Sequence, residues 1–525
     1  MRRILGILLT LLIIMNISAC SNSNDDTKAI AEETVESNND IIIRLAGGDW
    51  GFPSPYLHYS RGPGGFKMYL LFDSLLEKDE NGIIPWIASE WRIENEGKDY
   101  IFTLNDNILW HDGEKLTPED IKFTFDYYKQ HPPVWNSLNV NGKYIVKNVE
   151  IIDETNLKIV VDSANATYLE RLGKARILPK HIWKDVKDPK KFHSEKAAIG
   201  CGPYRFVEYN REQGAYKFEA FENYWGPKQR VKAIEWVPVS DEILAFEKGE
   251  IDTVSPSPDI IGRYEKDKGY AIKTNKGFWG YRLIFNMEKR SELKNINLRK
   301  AFAYGIDREE MVDKVSRGAA IAASMGYISK EHIWYNDNIQ KYSYEPEKAK
   351  KFLKGKSYSF EILTGNKGAE IKIAELIKMT LKDIGIEIKI KSVDMKTRDA
   401  AVKNKEFEIA LIGHGGWGSD PDSLREIYGT DTQEDGSPSS NSLPGYYNEK
   451  IIELSQKQMK ELDKDKRKEI IYRLQELIAE EVPQIPLYNT RSYFVFRPLK
   501  YDGWMYTYDH HYPEHCKLSY LVREK

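Results

Sequence analysis

Three groups of side chains are of a type and spacing that could do chemistry. The first is the run Gly413-His414-Gly415-Gly416-Trp417-Gly418, followed by Asp420-Pro421-Asp422. Glycines let a bound molecule come close to the backbone, so His414 is placed to donate to a carboxylate or to coordinate a chelated metal, or simply to be solvated. Trp417 offers a flat face for a planar, sugar-like or cationic group. Asp420 suits an amine, and an aspartate just ahead of Leu424 equally suits a helix N-cap. The second group is His510, His511, His515 and Cys516; its spacing fits no standard zinc motif, and solvated surface histidines account for it more simply. The third is the acid pairs Glu119-Asp120 and Asp420/Asp422, which a glycosidase would use but which helix starts already explain. The sequence has no Gly-x-Ser-x-Gly, no His-Glu-x-x-His and no phosphate-binding loop, so a hydrolase or ATPase is not indicated and no cofactor is called for.

The N-terminus carries chemistry of another kind. Arg2 and Arg3 precede the apolar stretch Ile4–Ile14, which is too short to span a bilayer comfortably and reads as a secretion signal over residues 1–19. Ile17-Ser18-Ala19-Cys20 resembles the bacterial lipobox. That resemblance implies that Cys20 is diacylated and becomes the mature N-terminus, held at the outer face of the cytoplasmic membrane. Residues 20–39 are rich in Ser, Asn, Asp and Glu and read as a flexible tether. Beyond Cys20 only Cys201 and Cys516 remain, which is no disulfide framework, and whether they pair is open at this point.

With 525 residues the chain exceeds what one hydrophobic core supports, so two or three folded units are expected. A formal charge of −3 gives no attraction for nucleic acid. Twelve Trp and 32 Tyr supply large, stiff surfaces that suit either solute capture or a plain core.

The elements that must position these groups are legible in places. An apolar strand over residues 41–45 leads into the loop Gly47-Gly48-Asp49-Trp50-Gly51-Phe52-Pro53. Thr117-Pro118-Glu119-Asp120 starts a helix whose buried face carries Ile121, Phe125 and Tyr128. Asp307 and Glu310 have the spacing of a capping box for a helix closed near Gly318. A strand over 358–363, a helix through Ile373, Ile377, Leu381 and Ile384, and an alternating strand through Ile386, Ile388 and Ile390 form a βαβ unit. The next strand, 407–412, runs into the glycine-rich loop; loops at the carboxyl ends of such strands are favoured ligand positions. Two amphipathic helices follow, the second ended by Pro483.

Four stretches in order then resemble the family-five extracellular solute-binding proteins, over nearly all of residues 41–525. They are Trp110-His111-Asp112-Gly113 with Thr117-Pro118-Glu119-Asp120; Gly200-Cys201-Gly202-Pro203-Tyr204 with Asn223-Tyr224-Trp225-Gly226 and Gly249-Glu250-Ile251-Asp252; Phe285-Asn286 with residues 297–302 and Gly305-Ile306-Asp307-Arg308; and Gly445-Tyr446-Tyr447-Asn448 with residues 483–488. The resemblance implies an α/β, two-lobed periplasmic-binding-protein-like fold of the class II, cluster C type. Its first lobe would comprise 40–72, 197–284 and 485–525, with a subdomain inserted at 73–196, and its second lobe 285–484.

It further implies that Trp50, Phe52, Trp279 and Tyr281 line the interlobe cleft, where core packing is the competing role. In peptide receptors of this family a loop aspartate pairs with the peptide amine. An ungapped count puts Trp417 at that position and His414 at the usual tryptophan, whereas a gapped one keeps Trp417 as the tryptophan and gives the amine to Asp420. The expected activity is capture of a solute, first of all short peptides, by the monomeric binding lipoprotein of an ABC importer and delivery to its membrane permease, without catalysis. A nickel chelate or oligosaccharide as ligand, a sensor, and a secreted hydrolase are the alternatives.

Overall fold

The computed structural model describes residues 40–59, 63–79, 82–140, 142–414, 420–432, 438–506 and 516–522. The leader, Cys20, the tether, Trp417 and His510, His511 and His515 fall outside these residues. No helix among the described residues is long and apolar enough to cross a membrane.

Two large hydrophobic cores organise the chain. The first runs from Ile43 to Trp236 and takes in Phe494, Trp504 and Tyr520 from the C-terminal end. It is built on a four-stranded sheet ordered Ile42–Ala46, Ala233–Val237, Ala215–Ala220, Tyr204–Asn210, in which the first pair is parallel and the rest antiparallel. An antiparallel sheet of Ala88–Glu94, Asp99–Leu104, Asn156–Val161 and Val146–Ile151 covers its side with the helix Pro118–Gln130. Ile121, Phe125 and Tyr128 of that helix are buried, and Asp120 Oδ2 accepts the Thr117 N–H at 2.8 Å. The segment expected as an insert, 73–196, thus shares one continuous core with the strands before and after it. A three-stranded sheet of Thr253–Val254, Tyr493–Phe496 and Ala271–Thr274 adds a small satellite core.

The second core spans Phe278 to Tyr488. Its six-stranded mixed sheet runs in the order Ala320–Ala322, Gln484–Thr490, Trp279–Phe285, Ile409–His414, Tyr358–Gly365, Ile386–Val393. The expected βαβ unit is present: Tyr358–Gly365 and Ile386–Val393 are parallel and joined by the helix Gly368–Lys382. Asp307 caps Arg308–Lys314 by accepting the Glu310 N–H at 2.9 Å. The two amphipathic helices are Glu449–Lys460 and Lys464–Glu481.

The passages between the cores do not fall where the resemblance put them. Trp279–Phe285 and Gln484–Thr490 pair with each other inside the six-stranded sheet, so the chain crosses through 275–278 and 491–492 rather than near 284/285 and 484/485. Gly280–Phe285 and Gln484–Asn489 are buried throughout, as central strands covered on both faces are. Arg282 and Gln484 are buried within these strands and bonded to each other, Arg282 Nη1 donating to Gln484 Oε1 at 2.7 Å, so polar residues there do not mark where one core ends. Cys201 and Cys516 are both buried and unpaired.

Candidate functional site

The two passages lie side by side. The Asn275 N–H donates to the Ser492 carbonyl at 3.0 Å, and the Ser492 N–H returns a bond to Asn275 Oδ1. Away from them the cores meet again across residues 97–171 and 422–462. The Ala166 N–H donates to the Met459 carbonyl at 2.7 Å, and Arg171 Nη2 lies 3.6 Å from Asp422 Oδ2. Gly97 stands at φ +86°, and a Cβ there would come within 2.6 Å of Leu462 Cδ1, so only glycine admits this approach. Arg317 of the second core also pairs with Asp259 of the first.

Beside this bridge lies a cavity of about 770 Å³ lined by both cores. The first core contributes Lys143, Tyr144, Asn165 and Tyr168, the second Arg425, Thr430, Asn441, Gln456 and Lys460. Side-chain amides and hydroxyls on two facing walls can hydrogen-bond a polar, extended solute, while Val140, Ile145 and Met459 give it apolar cover. The sequence reading missed these residues, because no motif marks a wall completed by chain from the opposite core.

Each expected site residue has a definite place. Trp50 is half-buried on the first core, its N–H donating to the Tyr216 hydroxyl at 2.8 Å. Phe52 is half-buried against Phe206 and Tyr209, with ring centroids 5.4 and 6.0 Å away. Trp279 is 45% exposed and stands edge-on to Tyr281 at 4.9 Å. Tyr281 itself is buried against Tyr488, and burial pushes its hydroxyl pKa up to about 12. His414 ends its strand opposite Gly280, which brings its backbone to the same end of the sheet as Trp279.

Asp420 is engaged already. Its two oxygens accept Arg467 Nη1 and Nη2 at 2.6 and 2.7 Å, and Oδ1 also accepts the Asp422 N–H at 2.9 Å. Arg467 is held in turn by Gln458, which reaches the buried Asp422. The carboxylate that one alignment offers to a peptide amine is therefore neutralised by a bidentate guanidinium, and its bond to the Asp422 N–H sits at the start of the helix Ser423–Tyr428, as a capping aspartate's does.

A further group beside the Trp50 loop was not anticipated. Phe66, Tyr69 and Trp135 form a half-buried aromatic cluster, and the Arg176 guanidinium lies 4.5 Å from the Tyr69 ring centroid and 5.6 Å from that of Trp135. Below it the buried Lys67 ammonium sits 4.5 Å from the Tyr216 ring and 4.3 Å from that of Trp236; burial pushes its pKa down to about 7. Among the described residues no group of His, Cys, Asp and Glu has the arrangement of a metal site.

The profile of the bacterial extracellular solute-binding proteins, family 5 middle region, matches residues 82–436. The chain belongs to this family. The Escherichia coli dipeptide-binding protein is 24% identical over 471 residues, covering 82% of this chain and 85% of its own length. Heme-binding protein A of Haemophilus influenzae is 24% identical over 521 residues, with 92% and 93% covered. The crystal structure of the ABC transporter substrate-binding protein CtaP from Listeria monocytogenes superposes with a TM-score of 0.74 at 25% identity, over 88% of this chain and 95% of that one. The two cores are thus the lobes of the two-lobed periplasmic-binding-protein fold, and family members are solute-binding transport proteins rather than enzymes.

Proposed function

We propose that this protein captures short peptides between its lobes and delivers them to the permease of an ABC importer, anchored to the outer face of the cell membrane by a diacylated Cys20. In this reading residues 73–196 act as a subdomain of the first lobe, and the lobes close over the solute as hinge-bending receptors do. The observation that carries it is the cavity of about 770 Å³, walled by both lobes and within the size range of small-molecule sites. Peptide receptors among the relatives support the ligand class.

The Asp420–Arg467 pair refines how a peptide would be held. Asp420 is not free to meet the amine without leaving Arg467 buried and uncompensated, so recognition rests on hydrogen bonds from the polar cavity walls, Asn165, Thr430, Asn441 and Gln456 among them, and on the apolar cover of Ile145 and Met459. The test is thermal unfolding of the full chain with pooled di- and tripeptides. A ligand at about a hundredfold its Kd adds roughly 2.7 kcal/mol, several degrees in a domain of this size. No shift with peptides, and a shift with nickel plus histidine or with oligosaccharides, overturns the peptide assignment. Peptides recovered uncleaved after incubation are expected; cleavage would point to the hydrolase alternative.

A further inference from the structure

A single carboxylate touches both passages between the lobes. Glu331, half-buried on the second lobe, accepts the Gly277 N–H on Oε2 at 2.6 Å and Arg491 Nη2 on Oε1 at 2.6 Å. Gly277 belongs to the 275–278 passage and Arg491 to the 491–492 passage. The same segment reinforces the grip, since Ser329 Oγ donates to the Gly277 carbonyl at 2.7 Å and the His332 ring lies 5.2 Å from Phe278. Arg491 is also tied to the second lobe through its N–H, which donates to the Ala319 carbonyl at 2.9 Å. Bonds of this charge-assisted kind are shorter and roughly twice as strong as neutral ones.

Packing leaves the carboxylate little room. A Cβ at Gly277 would lie 3.3 Å from Glu331 Oε2 and 3.2 Å from Asn489 Cβ, so a side chain there would press on both. Asn489 is 1% exposed, and neither of its side-chain polar atoms has a hydrogen-bond partner among the described residues. A buried amide without partners is costly.

We propose that Glu331 is a positioning residue for solute capture, fixing Gly277 and Arg491 to the second lobe so that both passages turn together about Asn275 and Ser492. A hinge needs only a few residues to absorb the dihedral change. With Gly277 and Arg491 clamped, the change is confined to the residues nearer the first lobe, Asn275 and Ser492, which are bonded to each other. This inference rests on the reading that the lobes close over a solute, and its test uses no solute, so the two can fail separately.

The experiment compares the full chain with Glu331→Ala, Glu331→Gln and Gly277→Ala, without ligand, by amide hydrogen exchange and small-angle X-ray scattering. Glu331→Ala removes both bonds, and exchange at the Gly277 amide is expected to rise by about tenfold or more, with a broadened interlobe distance distribution. Glu331→Gln keeps an acceptor for Gly277 but loses the charge opposite Arg491, so the distribution broadens while Gly277 stays largely protected. Gly277→Ala crowds the carboxylate and broadens the distribution as well. A native distribution in Glu331→Gln and Gly277→Ala, whatever happens to the unfolding temperature, makes Glu331 a merely structural contact and overturns the proposal. Failure to bind peptides with the hinge response intact overturns only the peptide reading.

Discussion

The passages at 275–278 and 491–492 and the bridge between residues 97–171 and 422–462 both join the two lobes, and they do so by different means. The passages are covalent, short and surrounded by hydrogen bonds, including the paired bonds of Asn275 and Ser492. Among the described residues the bridge shows a backbone hydrogen bond, an ion pair at 3.6 Å and the contact of Leu462 with Gly97, with the Arg317–Asp259 pair standing apart from it. A hydrogen bond contributes about 0.5–1.5 kcal/mol net and a partly exposed ion pair about 0–1 kcal/mol. The bridge is thus of the same size as the roughly 2.7 kcal/mol that a ligand at a hundredfold its Kd supplies. Tight passages fix the path of the motion, and a weak bridge leaves its end point to the solute.

The largest way to sharpen this contrast is Arg467→Ala. It leaves Asp420 and the Asp422 network without its guanidinium, and breaking a buried pair of this kind costs about 3–5 kcal/mol. Urea unfolding is expected to show that loss, and a change below about 1 kcal/mol would place the pair in effective contact with solvent. Next is the pH dependence set under the Trp50 loop. Lys67 has its pKa lowered from 10.5 to about 7 by burial, so between those values the unfolded chain holds the proton and the folded chain does not. Stability then rises with pH across that window by up to about 1.4 kcal/mol per unit, and below about pH 7 the cost of burying the ammonium is fully present. Lys67→Met should remove this rise from a series of urea midpoints against pH; an unchanged profile assigns the slope to other groups. Arg171→Ala is the smallest. It removes the ion pair with Asp422 for less than about 1 kcal/mol of stability, yet it shifts the ligand-free chain toward open forms in small-angle scattering.

Local order was legible in the sequence wherever one segment carries the whole signal. The capped helices at Thr117 and Asp307 and the parallel strands around Gly368–Lys382 follow from neighbouring residues alone. What lay hidden needs distant partners. Asp420 meets Arg467 across 47 positions, and nothing near either residue announces the pair. The cavity walls come from Tyr144 and Tyr168 on one lobe and Gln456 and Lys460 on the other. The passages lie one strand away from where the resemblance implies them, because the pairing of Trp279–Phe285 with Gln484–Thr490 joins segments about 200 positions apart and no local residue marks it. Trp50 and Phe52 stand out in the sequence as aromatic residues of a glycine-rich loop, but their packing against Tyr216, Phe206 and Tyr209 needs partners more than 150 positions away.

Cys201 and Cys516 are buried at 0% and 1% exposure, and burial pushes both thiols above their ordinary range, Cys516 to about 11. Neither is a ready nucleophile in the folded chain, since the thiolate is the reactive form. An alkylating reagent supplied in pulses will therefore label these positions only in molecules whose first lobe has opened, and mass spectrometry of the two labels turns a pair of silent cysteines into a clock for how long the folded chain survives.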